Sequence, residues 1–170
     1  MNRLLVLLML VPALTHADDG YKVLFKSTPI PVADQIAIYH QLGLKLAPGG
    51  KRLDDEDCGV ELPGMMGSDR VTTTDLNHDG VPEVIVSEGV CNSGAEGPDL
   101  HVFVKSGSGY RLSATGKDWH ALPERSKGYS DPLVHVYGHC EEVLRWNGER
   151  YAHSKYKPGF PGGCDILEHK

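Results

Sequence analysis

Short runs of alternating apolar and polar residues fill most of the chain after residue 70. These runs are rich in β-branched and aromatic residues and are separated by turn residues, a pattern typical of strands. They cover residues 71–74, 84–87, 100–105, 110–114, 133–137, 142–146 and 150–153. Two pairs of runs flank hairpin sequences, SGSG at 106–109 and Asn-Gly at 147–148. The pattern predicts about seven or eight mostly antiparallel strands.

Residues 32–42 carry the one strong helical pattern ahead of these strands. Val32, Ile36 and Tyr39 recur at helical spacing and are expected to form the buried face. Residues 21–26 (YKVLFK) alternate instead and predict a short strand. The sequence therefore predicts an α+β fold that is mostly antiparallel β, with a short N-terminal helix.

The start of the chain has the pattern of an export signal. Arg3 precedes an uninterrupted apolar run at residues 4–11, and the small residue Ala17 follows where a signal peptidase cleaves. The run is too short to span a bilayer. A buried N-terminal helix is the alternative. We expect a signal peptide at 1–17, one domain at 18–170, and a soluble periplasmic or secreted protein with no membrane insertion.

The net charge of the chain limits the classes of partner that it is expected to bind. The formal net charge is −6 at pH 7, and the predicted signal peptide removes one basic residue and no acidic one. Nucleic acids and anionic membranes require a basic face, so neither is expected as the main partner. The acidic balance favours metal cations or another protein.

Four cysteines are present, at Cys58, Cys91, Cys140 and Cys164. An even number in an exported chain predicts disulfides, and three pairings are open. We favour Cys58–Cys91 and Cys140–Cys164, because each pair brackets one local motif. Each bridge would stabilise the fold by about 3–4 kcal/mol through loop closure. A zinc site is the rival interpretation, but the chain has no CxxC or CxxH spacing.

The segment DLNHDGVPE, residues 75–83, has the composition of a calcium loop. Acidic and amide residues alternate ahead of Gly80, and this glycine permits a sharp turn. Such a loop suits calcium, because calcium prefers six to eight oxygen ligands. The expected ligands are the side chains of Asp75, Asn77, Asp79 and Glu83 and the carbonyl of Val81. An EF-hand would place Glu where Val86 stands and would put helices on both sides. A polar turn without an ion is the alternative.

The loop resembles the strand–loop–strand calcium sites of FG-GAP and VCBS repeats, whose motif is DxNxDGxxD. Glu83 stands where those repeats more often have Asp. The chain also resembles a set of small exported bacterial proteins of uncharacterised role, through a helix like residues 33–39, four cysteines, a DxNGDGxPE loop and an RWNGxxY hairpin like residues 145–151. His78 stands where that set has Gly. The resemblance implies one calcium loop in a β domain, and it implies no activity.

Catalytic motifs are absent from the sequence, which contains no nucleophile elbow, HExxH helix or phosphate loop. His135 and His139 would lie about 13 Å apart along a strand, so a zinc or copper site with Cys140 would require a bend at Gly138. A disulfide at Cys140 is the alternative. A calcium ion whose ligands nearly all come from the protein has no open position for chemistry. We therefore predict a structural calcium and a protein that is not an enzyme.

Two functions remain. The first is an exported, calcium-binding, disulfide-stabilised module that binds another protein, as inhibitors of cell-wall hydrolases and immunity proteins against toxins do. The expected contacts are exposed aromatics and a protruding loop: Trp119, Tyr129, Phe160 and residues 158–163. Trp146 and Tyr151 are expected to pack in the core of a hairpin. The alternative is a periplasmic hydrolase with a calcium-supported site, which needs a cleft with a perturbed carboxylate or histidine.

Overall fold

A computed structural model describes residues 19–26, 28–46, 53–54, 71–87, 99–164 and 167. The predicted signal peptide, Cys58 and Cys91 lie outside these residues. The helices are α1 (Gly20–Leu24) and α2 (Val32–Gln41). The strands are β1 (Lys45–Leu46), β2 (Leu53–Asp54), β3 (Val71–Thr74), β4 (Glu83–Ser87), β5 (Asp99–Ser106), β6 (Gly109–Ser126), β7 (Tyr129–Tyr137), β8 (Cys140–Trp146) and β9 (Tyr151–Pro158).

Seven of these strands form one antiparallel sheet. Strands β3 to β9 pair in chain order, each with the next, so the sheet is a simple meander. β1 and β2 form a separate antiparallel pair. The mostly antiparallel fold with a short helix is thus confirmed. β3 spans the predicted residues, whereas β6 continues well beyond the predicted 110–114.

The turn between β8 and β9 confirms the predicted hairpin but not its centre. The Asn147 N–H donates to the Arg150 carbonyl at 3.1 Å, so Gly148 and Glu149 are the central residues. Gly148 has φ of 110°, which suits a Gly-X hairpin turn. The Asn147 Oδ1 accepts hydrogen bonds from the N–H groups of Glu149 and Arg150 at 2.8 and 3.0 Å. Asn147 therefore caps the turn instead of occupying it.

The predicted strand at residues 21–26 is wrong, because most of this segment belongs to α1. Leu24 and the following Phe25 are buried in the core with α2. Gly20 allows the close approach: a Cβ there would lie 2.1 Å from the Tyr39 hydroxyl oxygen. Packing of α1 on α2 outweighs the local two-residue alternation.

Helix α2 lies where the sequence predicts it and Tyr39 is buried as expected, but the rest of its buried face is different. Val32 is 54% exposed, and the buried positions are Asp34, Gln35, Ile38 and Tyr39. Polar contacts fix this orientation. Asp34 pairs with Lys105 of β5 at 2.8 Å, and the Gln41 amide bonds two backbone groups of β6 at 2.9 and 3.1 Å. These long-range contacts do not show in helical periodicity.

The two faces of β4 and β5 carry separate apolar clusters. One face packs against the helices, in a cluster that includes Leu24, Phe25, Ile38, Tyr39, Val84, Val86 and Phe103. The other face packs against β7–β9, in a cluster that includes Leu76, Val102, Val104, Val134, Leu144, Trp146 and Tyr151. The sheet therefore curls over itself. This brings its far strands beside the loop that joins β3 to β4.

Strand β6 makes the curl possible, because its pairing with β7 is interrupted twice. The register shifts within residues 117–120 and again within 121–125. At the first shift Asp118 has φ of 48°, and the next residue, Trp119, meets Tyr151 with ring centroids 5.6 Å apart. Such bulges bend a strand and redirect its side chains.

Candidate metal-binding loop

The loop between β3 and β4 is closed by the pairing of Thr74 with Glu83. Two of its residues have left-handed backbone: His78 at φ 61° and Gly80 at φ 84°. A non-glycine residue is uncommon there, although His tolerates it better than most. This left-handed conformation of the loop is one that favours glycine. It also confirms that Gly80 stands where the chain turns sharply.

Side-chain oxygens of the loop accept hydrogen bonds from its own backbone. The Asp75 Oδ1 accepts a hydrogen bond from the Asp79 N–H at 3.2 Å, and its Oδ2 accepts one from the Gly80 N–H at 3.0 Å. The Asn77 Oδ1 accepts from the Asp79 N–H at 2.8 Å, and the Asp79 Oδ1 accepts from the Val81 N–H at 2.7 Å. The chain is thereby wrapped around the side chains that the sequence proposes as ligands.

The pKa of Asp75 is lower than its ordinary value. Desolvation by burial works to raise the pKa, but the backbone N–H groups of Gly80, His78 and Asp79 together outweigh it. Hydrogen bonds of this kind favour the charged form of a carboxyl group. Asp75 is thus kept as an anion, which is the form that a cation requires.

Glu83 is the most unusual group of the loop. Its side chain is fully buried, with 0% exposure, and its Oε2 accepts from the Leu76 N–H at 2.7 Å. Its Oε1 is buried without a hydrogen-bond partner among the described residues. Burial, reinforced by the charges of Asp79 and Asp75, raises the pKa of Glu83 to about 7. A buried carboxylate oxygen without a partner is costly, and a cation would satisfy it.

The chemistry of this donor set fits calcium, because every proposed ligand supplies oxygen. Within the described residues, however, no group of three or more His, Cys, Asp or Glu side chains is arranged so that it could hold a metal ion. The side chains of Asn77 and Asp79 instead bond each other, from Nδ2 to Oδ2 at 2.8 Å. An ion would have to draw the loop oxygens closer than the internal hydrogen bonds place them.

The loop is anchored to the turn between β6 and β7, which the sequence did not predict. Leu76 is buried, and its carbonyl accepts hydrogen bonds from the Ser130 N–H at 2.9 Å and from the Arg125 guanidinium at 3.2 Å. Burial raises the pKa of Tyr129, and the nearby Asn77 side chain acts to lower it. These partners are about fifty residues away in sequence, and no local pattern could have found them.

Two of the aromatics predicted as exposed contacts are partly buried in a cluster instead. Tyr129 stacks on Trp146 with ring centroids 4.2 Å apart, and Trp119 packs edge-on against Tyr151. The expectation that Trp119 and Tyr129 are fully exposed is therefore wrong, because both are partly buried. The prediction that Trp146 and Tyr151 lie in the core is confirmed, because both are buried. Phe160 is 52% exposed, as expected of a contact residue.

The second half of the predicted disulfide framework is confirmed by the Cys140–Cys164 bridge. The sulfur of Cys140 is therefore unavailable to a zinc or copper ion. His139 turns to the loop at 158–163 instead: its ring lies 5.0 Å from that of Phe160, and its carbonyl accepts from the Gly159 N–H at 2.8 Å.

A cavity of about 350 Å³ lies on the sheet away from the loop. Its polar lining is Asp99, His101, Thr115, Lys117 and His135. The two histidines belong to β5 and β7, with β6 between them, and among the described residues they belong to no group of three or more His, Cys, Asp or Glu side chains that could hold a metal ion. The cavity shares no residue with the loop. It therefore gives no support to a hydrolase site built around calcium.

Comparisons add no family to this picture. No protein-family model, curated protein or solved structure matches the chain. No helix within the described ranges is long and apolar enough to cross a bilayer. The assignment of the loop consequently depends on its own geometry and chemistry.

Proposed function

We propose that the chain is an exported calcium-binding protein whose ion stabilises the β3–β4 loop. The observation that carries the proposal is the Oε1 of Glu83, which is fully buried and has no partner among the described residues. Asp79 and Asp75 are close enough for their charges to raise the pKa of this carboxyl group. The ligands would be the side chains of Asp75, Asn77, Asp79 and Glu83 and the carbonyl of Val81.

Calcium would supply positive charge to a loop that holds three acidic residues. The carboxylates of Asp75 and Asp79 accept hydrogen bonds from the backbone of the turn, and Glu83 is the first residue of β4. Leu76, between these groups, packs into the apolar cluster of β7–β9. Ion binding in this loop would therefore strengthen the packing of the β3–β4 loop against strands β7–β9. The role of the ion is structural.

Thermal unfolding with a chelator and with calcium tests this proposal. We expect the chelator to lower the Tm and millimolar calcium to restore it, since a ligand at 100 times its Kd adds about 2.7 kcal/mol of stability. Asp79→Asn should reduce the shift that calcium produces. Glu124→Gln, an exposed carboxyl outside the loop, is the matched control and should respond like the natural protein. Identical melting curves with chelator and with calcium would refute the proposal.

We further propose that this protein acts as a binding module for another protein, of the kind represented by hydrolase inhibitors and toxin immunity proteins. The support is the loop at 158–163, which presents Phe160 at 52% exposure. The Cys140–Cys164 disulfide closes the chain around it, and the Gly163 N–H donates to the Phe160 carbonyl at 3.0 Å. Little ordering entropy would be lost when such a loop enters an apolar pocket of a partner.

Affinity capture from periplasmic extract in the presence of calcium tests the binding role. Phe160→Ser should abolish retention of a stoichiometric partner, because an aromatic anchor supplies a large share of interface energy. Leu112→Ser, another exposed apolar position at 37%, is the control and should retain it. Equal retention by both variants would remove the loop from the interface. Repeated absence of any stoichiometric partner would contradict the binding role itself.

A further inference from the structure

Ionisable residues form a row across five strands of the sheet. Asp99 of β5 stands opposite Lys117 of β6, and Lys117 stands opposite His135 of β7. The row continues through Glu141 of β8 to Lys157 of β9. Residues that stand directly opposite each other in an antiparallel sheet place their side chains on one face, with Cβ atoms about 5 Å apart. Side chains of both charges therefore follow one another along one face of the sheet.

One end of this row lines the cavity of about 350 Å³ that lies away from the proposed calcium loop. Asp99, Lys117 and His135 are the members of the row that line it. Two residues further along β5 and β6, His101 and Thr115 stand opposite each other and complete the polar lining. A volume of this size is typical of sites that hold small molecules. The cavity therefore offers a small ligand one ammonium group, one carboxylate, two imidazoles and a hydroxyl group.

The two charged groups of the cavity lie close together but are not in tight contact. The Lys117 Nζ is 3.7 Å from the Asp99 Oδ1, which is longer than the roughly 2.8 Å of a close charge-assisted hydrogen bond. Both side chains reach solvent, with exposed fractions of 18% for Lys117 and 44% for Asp99. A small anion alone would be repelled by Asp99, and a small cation alone by Lys117. A ligand that carries both charges side by side would complement both groups.

We infer that this cavity binds a small zwitterion of the free amino acid class, whose carboxylate meets Lys117 and whose ammonium group meets Asp99. The two charged groups of an α-amino acid are attached to one carbon atom, so their spacing suits protein groups 3.7 Å apart. The Thr115 hydroxyl and the His135 imidazole are further hydrogen-bond partners for the ligand. The cavity shares no residue with the proposed calcium loop or with the loop at 158–163, so the inference is independent of the proposed function.

Titration of the natural protein with free glycine, followed by the NMR signals of its backbone amides, tests the inference. Millimolar glycine should shift the signals of Thr115, Lys117 and His135. Acetate lacks the ammonium group of glycine and methylamine lacks its carboxylate, so each should bind about 10-fold more weakly, because one hydrogen bond to a charged group is lost. Unchanged signals at these residues would overturn the inference. Equal affinity for glycine and acetate would also overturn it, because the cavity would then be a simple anion site.

Variants separate ligand binding from a purely structural row of charges, which would stabilise the sheet without a ligand. Lys117→Met and Asp99→Asn should each weaken glycine binding about 10-fold. Lys157→Met and Glu141→Gln are the matched controls, because both residues belong to the row and lie outside the cavity. They should bind glycine like the natural protein. An equal loss of affinity in all four variants would overturn the inference, and the comparison of glycine with acetate and methylamine holds even where a variant fails to fold.

Discussion

Glu83→Gln probes the buried carboxyl group of the loop with the smallest possible change. The amide oxygen can still accept the Leu76 N–H, which Glu83 binds at 2.7 Å, while the negative charge disappears. The new N–H₂ group would lie where the Oε1 of Glu83 has no partner among the described residues. The charges of Asp79 and Asp75 already act on this carboxyl group. The variant therefore removes charge and ligand strength together and keeps the shape of the site.

The size of the effect follows from the pKa of Glu83. Burial raises it from the ordinary 4.5 to about 7. Below pH 4.5 the carboxyl group is protonated in both the folded and the unfolded chain, so its burial does not lower the free energy of unfolding. As pH rises to about 7 the unfolded chain ionises first, and the metal-free fold loses stability. At 1.36 kcal/mol for each pKa unit, the loss reaches about 3 kcal/mol above neutral pH.

Urea unfolding at pH 5 and pH 8, in chelator and in calcium, measures this loss. In chelator at pH 8 we expect Glu83→Gln to be more stable than the natural protein by about 3 kcal/mol, with a much smaller difference at pH 5. Calcium should reverse the order at pH 8, because it binds the ionised Glu83 more strongly than a neutral amide.

Two results would refute this reasoning. A variant that is less stable than the natural protein in chelator at pH 8 would show that the Glu83 carboxylate is stabilising without an ion. The same calcium-induced gain in both proteins would show that Glu83 is not a ligand. Glu124→Gln, whose side chain is exposed, controls for a general effect of net charge.

Three further predictions concern single contacts, each measured by urea unfolding. His78→Gly should stabilise the metal-free fold by about 0.5–1 kcal/mol, since φ is 61° there; a loss of stability would contradict the backbone argument. Replacing both Cys140 and Cys164 by Ser should cost about 3 kcal/mol for a bridge that spans 24 residues, and an unchanged midpoint would contradict it. Lys105→Met should cost about 1–3 kcal/mol, because Asp34 is then buried without its cation. Combining it with Asp34→Asn should recover part of that loss, and no recovery would argue against the ion pair.

The strand pattern could be predicted because it is local. β-branched and aromatic residues with turn residues between them located β3, β4, β5, β7, β8 and β9. The long second half of β6 could not be predicted. It contains Gly116 and Pro123, which are unfavourable in strands, and it is held by pairing with β7 across two register shifts.

The candidate site likewise has features that the sequence predicted and features that only the structure shows. Asp75, Asn77 and Asp79 were found because a loop that offers oxygen ligands needs alternating polar residues and a glycine in adjacent positions. That Glu83 is fully buried, with one oxygen unpartnered among the described residues, was not visible, because burial depends on packing from distant strands. Ser130 and Arg125, which hydrogen-bond the Leu76 carbonyl, are likewise far from the loop in sequence.

The sequence by itself predicted the mostly antiparallel sheet, the position of α2 and the candidate ligands, and it left three cysteine pairings open, of which the structure shows the favoured Cys140–Cys164 bridge. These features depend on residues close to one another or on a small set of cysteines. Only the tertiary structure decided that residues 20–24 form a helix, that α2 buries Asp34, and that Tyr129 packs inward. Each of those outcomes depends on long-range packing, whose free energy exceeds the local preference of a few residues.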